Sequence, residues 1–127
     1  MGDEFCGYLD FGMTWAPREI NRVLAWARFD SSGTLLNSFN VDSVTKNSTG
    51  NFTVFFENEF TDEDYSPMFL AIDDSTGLVL PKIVSQETGN VQVEFRGGAV
   101  TILGIQVVLN SPIDPSVGIT MITCGVP

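Results

Sequence analysis

The chain contains no histidine among its 127 residues. Histidine is the commonest general base near neutral pH and a frequent ligand of transition metals. Catalysis would therefore have to use carboxylates or lysines alone, and the sequence does not pair two carboxylates in the way that a glycosidase requires. We predict a non-enzymatic protein with no catalytic residue, no metal site and no cofactor.

Basic residues are also scarce. Six Lys and Arg stand against sixteen Asp and Glu, which gives a net charge of −10. Such a charge repels phosphate-rich surfaces, so neither nucleic acid nor an anionic membrane is expected as a partner. No apolar run approaches the roughly 20 residues that span a bilayer as a helix. The acidic N-terminus lacks the basic region of a secretory signal, so we expect none.

Cysteine is limited to Cys6 and Cys124, near opposite ends of the chain. A disulfide between them would close a loop that is worth up to ~4.7 kcal/mol in the chain-entropy model. The sequence leaves open whether they pair. Assembly in a reducing cytoplasm favours two reduced, mostly buried thiols.

The chain also lacks any sustained 3.6-residue apolar stripe. Short alternating runs recur about every ten residues between polar turns, which is typical of an all-β sandwich or barrel. We predict a single antiparallel β-sandwich or barrel-like domain over residues 21–127, with an irregular N-terminal arm over residues 1–20. The predicted strands are Asn21–Phe29, Leu35–Thr45, Phe52–Glu57, Tyr65–Ile72, Leu78–Ser85, Val91–Arg96, Ala99–Leu109 and Ile119–Cys124.

Two of these strands contain a proline, Pro67 and Pro81. Proline cannot donate a hydrogen bond to a neighbouring strand, so both strands should lie at sheet edges or contain bulges. The run Ala99–Leu109 is apolar on both sides, which indicates a strand that is covered on both faces. At an open sheet edge such a strand would promote aggregation, and burial between subunits would prevent this.

The predicted arm is apolar without a regular period. An exposed apolar segment usually packs against its own domain or a neighbour. We expect the arm to bind a partner protein through its large apolar side chains, which are Phe5, Tyr8, Leu9, Phe11 and Trp15.

A stretch of turns and alternating runs over residues 25–56 resembles a module found at phage tail-fibre tips and in other virion surface proteins. It reads AWARFDSSGT and then SFNVDSVTKNSTGNFTVFF. The typical sequence of that family is close to AWVNFxGTGT and then SFNVSSITDNGTGDYTVNF. The turn chemistry predicts a β-meander, and the resemblance implies a virion protein that is assembled in the host cytoplasm. It also implies a homotrimer.

The run from Phe52 to Phe56 places aromatic side chains on both faces of one strand. A small sandwich cannot easily bury both faces alone, so we predict that Phe52, Phe55 and Phe56 contribute to an oligomer interface. An alternative use of aromatic side chains is glycan stacking, for which the candidates are Trp15, Trp26 and Tyr65. The acidic turns at Asp62–Asp64 and Asp73–Asp74 are expected to be solvated, with a cation site as the alternative.

The sequence is compatible with three functions. The first is a capsid decoration (cement) protein that binds the major capsid protein of the head shell through its arm. It is favoured because the chain shows no coiled coil or β-helical shaft. The second is a tail-fibre or spike tip that binds a host receptor and docks onto a tail-fibre protein. A glycan-binding module is the weakest of the three.

Overall fold

A computed structural model describes residues 22–73, 78–98, 100–101, 106–107 and 111–126. Within these ranges the strands are joined by turns and loops, and there is no helix. Two antiparallel sheets pack together, which confirms the predicted β-sandwich. The strands are β1 (Arg22–Phe29), β2 (Leu35–Phe39), β3 (Val41–Ser48), β4 (Asn51–Phe56), β5 (Ser66–Ile72), β6 (Leu78–Gln86), β7 (Asn90–Gly98), β8 (Val100–Thr101), β9 (Gln106–Val107), β10 (Ser111–Pro112) and β11 (Gly118–Gly125).

Sheet A has the strand order β2-β1-β11-β5. In sheet B, β3, β4 and β7 pair in that order, β6 also pairs with β7, and β10 pairs with β7 at Arg96 and Gly97. The core lies between the two sheets. Alternate residues of each strand point inward, as the period of two requires. The fully buried inward residues include Ala25, Ala27, Phe29, Phe52, Val54, Val91, Val93, Phe95, Ile119 and Met121.

The two proline-containing strands occupy sheet edges, as predicted. β5 ends the strand order of sheet A, and β6 pairs with β7 alone among the described strands. β6 also contains an irregularity between Ile83 and Ser85. Both prolines therefore lie where a missing N–H costs no central ladder bond.

The predicted strand Leu35–Thr45 is wrong as a single element. It divides at Asn40, whose φ of 55° lies in the left-handed region, so β2 stays in sheet A and β3 enters sheet B. The predicted meander is therefore two separate hairpins, β1–β2 and β3–β4, one in each sheet. Asparagine tolerates this backbone conformation better than most residues.

The long strand that was predicted over Ala99–Leu109 is also wrong. Its described residues form two short strands, β8 and β9, which pair with each other antiparallel. The chain therefore reverses within this run. Gly97 and Gly98, directly before this run, are the last residues of β7.

Cys124, near the end of β11, is disulfide-bonded. The expectation of a reduced thiol is therefore wrong at this residue. Cys6 and the whole predicted arm lie outside the described residues, as do Phe5, Tyr8, Leu9, Phe11 and Trp15.

Candidate functional site

The outer face of sheet A is the principal candidate site. The register places one outward residue of each strand in a single row across the sheet. Phe39 on β2 pairs with Trp26 on β1, Trp26 pairs with Ile122 on β11, and Ile122 pairs with Met68 on β5. Directly opposed residues in antiparallel strands have Cβ atoms about 4.5–5.5 Å apart, so these four positions are neighbours along one line of the outer face. We call them the apolar row: Phe39, Trp26, Ile122 and Met68.

The ends of the apolar row are open to solvent. Phe39 is 53% exposed and Met68 is 44% exposed, whereas Trp26 and Ile122 in the centre are half-buried. Two further large apolar side chains extend the patch along the outer strands, namely Leu36 on β2 and Leu70 on β5. Contiguous exposed apolar surface of this kind is typical of a protein interaction site.

The sequence produces this face because β1 points its smallest side chains inward. Ala25 and Ala27 are fully buried, so the strand's tryptophan lies on the opposite face. On β11, Ile119 and Met121 point inward while Ile122 faces outward. The sequence predicts Trp26 only as a candidate for glycan stacking and does not predict the row. The signal was the alternation of Ala25 and Ala27 with Trp26.

The charge of this face differs from that of the chain as a whole. Its outward positions on the described strands include Arg28 and no Asp or Glu, although acidic residues outnumber basic ones in the sequence. An acidic partner, including another part of this chain, can therefore approach the face without like-charge repulsion.

The outer face of sheet B carries more polar groups. Asn51 Oδ1 accepts hydrogen bonds from Asn47 Nδ2 (2.9 Å) and Gln92 Nε2 (2.8 Å). Arg96 Nε lies 2.7 Å from Glu94 Oε1 in an ion pair on the same strand. Both of these atoms are buried and neither makes a hydrogen bond of good geometry, so the hydrogen-bonded amides around Asn51 are the clearer sign of a polar face. Sheet B also carries exposed apolar side chains, namely Phe55, Leu80 and Val84, so its outer face is mixed and differs from that of sheet A in its larger share of polar groups.

The predicted oligomer-interface residues do not lie together on the surface. Phe52 and Phe56 are buried in the core, where Phe52 packs 5.4 Å from Phe29 between ring centroids. Neither has surface to offer a second subunit. Phe55 alone points outward from sheet B and is 38% exposed. The prediction of an interface therefore remains open for Phe55 only.

The acidic turns form hydrogen bonds within the protein. Asp62 Oδ1 accepts a hydrogen bond from the amide of Asp64 at 2.8 Å. Asp73 Oδ1 accepts hydrogen bonds from the amide (3.1 Å) and the hydroxyl of Ser116. In the described part of the chain, no group of three His, Cys, Asp or Glu residues is arranged to hold a metal ion.

Tyr65, a candidate glycan platform, belongs to the interior. It is 5% exposed and packs against Phe56 and Phe60, with ring centroids at 5.7 and 4.7 Å. Its hydroxyl donates toward the carbonyl oxygens of Glu87 (2.5 Å) and Asn90 (3.0 Å). Burial raises the pKa of Tyr65 to about 12. Its ring face is therefore not available to a sugar.

A small cleft of about 190 Å³ opens at one end of the sandwich. Leu24, Phe60 and Val126 supply its apolar wall, and Asn40 and Asn58 supply polar groups. Asn40 Nδ2 donates to the carbonyl of Leu24 at 3.0 Å, and Asn40 Oδ1 accepts from the Asn58 amide at 2.8 Å. These polar groups are thus engaged in joining loops, and the cleft shows no acid–base pair.

No family model, curated protein or solved structure matches this chain. Among the described residues, no helix is long and apolar enough to cross a bilayer.

Proposed function

We propose that the chain is a non-enzymatic structural protein of a phage virion surface, most specifically a capsid decoration protein that binds the head shell. The observation that carries the proposal is the chemical contrast between the outer faces of the two sheets. The apolar row with Leu36 and Leu70 suits a protein partner. The hydrogen-bonded amides on the outer face of sheet B suit solvent. A protein that coats a particle needs such a two-sided surface.

In this proposal the docking side consists of the outer face of sheet A together with the N-terminal arm, residues 1–20. The arm leads into β1, whose Trp26 stands in the centre of the apolar row. Burial of the exposed ends of the apolar row against the head shell would stabilise the complex by about 25 cal/mol for each Å² of apolar surface removed from water. Affinity would rest on apolar contact, since the face has few charges to pair.

The resemblance over residues 25–56 supports the virion assignment. The turn residues that the chain shares with the family lie at backbone positions that favour glycine or asparagine. Gly33 and Gly50 both have positive φ in the β1–β2 and β3–β4 turns, and Asn40 has positive φ between the two hairpins. The shared residues thus correspond to the two hairpin turns, at Gly33 and Gly50, and to the passage between the sheets, at Asn40.

A tail-fibre or spike tip is the second candidate. It is favoured by the loop between β4 and β5, where seven side chains are exposed on an acidic segment: Glu57, Asn58, Glu59, Thr61, Asp62, Glu63 and Asp64. An exposed polar loop on a rigid sandwich is a common recognition surface.

Incorporation into particles tests the decoration role. Particles would be assembled with the whole chain, with a chain that lacks residues 1–20, and with a Phe39→Ser/Leu70→Ser variant of the docking side. We expect both altered chains to be lost from purified particles. Leu80→Ser, which removes an exposed apolar side chain from sheet B, serves as the matched control and should be incorporated normally. Normal incorporation of the two altered chains would contradict the proposal.

A further inference from the structure

The disulfide-bonded Cys124 lies at one corner of the outer face of sheet A. It is two residues from Ile122 on β11, so the two side chains share a face. It also pairs with Ser66 on β5 and with Val23 on β1. The bond is therefore formed on the outside of the sandwich, beside the apolar row.

A β-bulge turns β1 toward this corner. The register shifts between Val23 and Ala25. Leu24 packs against the core, and its Cδ1 lies 2.9 Å from the position that a Cβ on Gly125 would occupy. Because successive strand residues alternate, Val23 faces outward beside Cys124, yet it is only 9% exposed. An outward side chain is buried to this degree only when something lies over it.

The sequence identifies the cover. Cys124 is bonded, and the chain has one other cysteine, Cys6. We infer that the N-terminal segment, residues 1–20, lies over this corner of sheet A and is fastened there by a disulfide between Cys6 and Cys124. Phe5, Tyr8 and Leu9 are within three residues of Cys6, so they would be the side chains that cover Val23 and the centre of the row.

The N-terminal segment is long enough to lie across the outer face of sheet A. Arg22 pairs with Gly125, next to Cys124, and bonded cysteines have Cα atoms about 4.4–6.8 Å apart. Both ends of the stretch from Cys6 to Arg22 therefore lie at the same corner. A stretch of about 15 residues that is folded back on itself reaches roughly 25 Å. The outer strands of a four-stranded sheet are only about 14 Å apart.

The charges are compatible as well. The segment contains four acidic residues and one arginine, and the outer face of sheet A offers Arg28 without an acidic side chain on its described strands. The acidic residues of the segment are Asp3, Glu4, Asp10 and Glu19. An acidic segment can thus approach this face without repulsion from acidic side chains on its described strands.

Formation of the bond requires an oxidant, for which a small disulfide such as oxidised glutathione suffices. The Cys6 thiolate attacks the small disulfide and releases one glutathione thiolate. The Cys124 thiolate then attacks the mixed disulfide, releases the second glutathione thiolate and completes the protein disulfide. The two protons lost by the protein thiols are taken up, through solvent, by the two released glutathione thiolates, so the two electrons reduce one glutathione disulfide to two thiols.

Peptide mapping of the whole chain tests the bond directly. The protein would be blocked with an alkylating reagent, digested without reductant and analysed by mass spectrometry. We expect one cross-linked species that joins the peptides of Cys6 and Cys124 and disappears on reduction. Alkylation of both cysteines as free thiols would overturn the inference. A Cys124–Cys124 link between two chains, visible as a dimer on a non-reducing gel, would also overturn it.

Side-chain labelling tests the cover. Hydroxyl-radical labelling of the oxidised whole chain should modify Trp26 weakly, and reduction of the disulfide or Cys6→Ser should raise that labelling several-fold. Phe55, on the outer face of sheet B, should be labelled equally in all samples and serves as the internal control. Unchanged labelling of Trp26 would overturn the inference. These outcomes do not depend on virion location, so they can fail while the proposed function stands, and the reverse also holds.

Discussion

At the scale of single residues, Gly50 shows how closely the turns are packed. It has a φ of 71°, and a Cβ at this position would lie 2.7 Å from the carbonyl oxygen of Ile113 and 2.8 Å from that of Phe95. The Gly50 carbonyl accepts a hydrogen bond from the Phe95 amide at 2.7 Å, and its own amide donates to Asp114 Oδ1 at 2.6 Å. The β3–β4 turn is thus held against β7 by backbone atoms that cannot move aside.

We therefore expect Gly50→Ala to lower the free energy of unfolding by about 2–4 kcal/mol, since it combines backbone strain with overlap. Gly33→Ala is the matched control, because Gly33 also has positive φ but its nearest neighbours would be at 3.4 Å. That variant should lose only about 1 kcal/mol. Urea denaturation of both variants measures the difference, and equal losses would show that close packing at Gly50 is unimportant.

Thr123 offers a second test at this scale. It is fully buried on the inner face of β11, and among the described residues nothing forms a hydrogen bond with its hydroxyl. A buried hydroxyl without a partner costs about 1–3 kcal/mol. Thr123→Val should therefore raise the free energy of unfolding by about 1 kcal/mol in urea denaturation. A loss of stability would mean that the hydroxyl has a favourable contact after all.

At the scale of elements, Tyr65 joins the start of β5 to the β6–β7 turn. Its hydroxyl reaches the carbonyls of Glu87 and Asn90. From the other side, Gln86 Nε2 donates to the carbonyls of Tyr65 (2.6 Å) and Glu63 (2.7 Å). The acidic loop is therefore tied to sheet B at its end, although its side chains remain in solvent.

The raised pKa of Tyr65 predicts a loss of stability in alkali. Desolvation by burial is the main cause, and it disfavours the charged phenolate in the folded state. The pKa rises from 10.0 to about 12 on folding. The stability that the neutral Tyr65 phenol gives the folded state is therefore complete below pH 10 and is lost between pH 10 and 12. The unfolding free energy of the parent protein should fall over this interval by about 3 kcal/mol more than that of Tyr65→Phe. Parallel pH curves for the two proteins would contradict this assignment.

The strands show what the sequence does and does not reveal. Pro67 and Pro81 placed β5 and β6 at edges because the missing N–H is a local property. The division at Asn40 was missed because SFNV reads as one extended run, and the crossing between sheets depends on a single backbone angle. The reversal between β8 and β9 was missed for a similar reason, since Gly104 is the only residue typical of a turn between these two strands.

At the scale of the whole molecule, the difference between the two outer faces indicates which side of the sandwich faces a partner. The inward residues could be predicted from alternation alone. The apolar row could not, because it is assembled from four strands in the order β2-β1-β11-β5, and sequence alone does not give that order. Cys124 was likewise misjudged, since its position on the outer face becomes clear only from the register with β5 and β1.

The central claim is that this protein coats a virion, with sheet A toward the particle and sheet B toward solvent. Electron microscopy of intact phage particles with a gold-tagged antibody against the outer face of sheet B tests it most directly. Phe55→Ser and Lys82→Ala variants would establish that the antibody recognises this face. We expect gold over the heads. Gold at the tail tips would contradict the decoration role and support the receptor-binding alternative, and particles without gold would contradict the account as a whole.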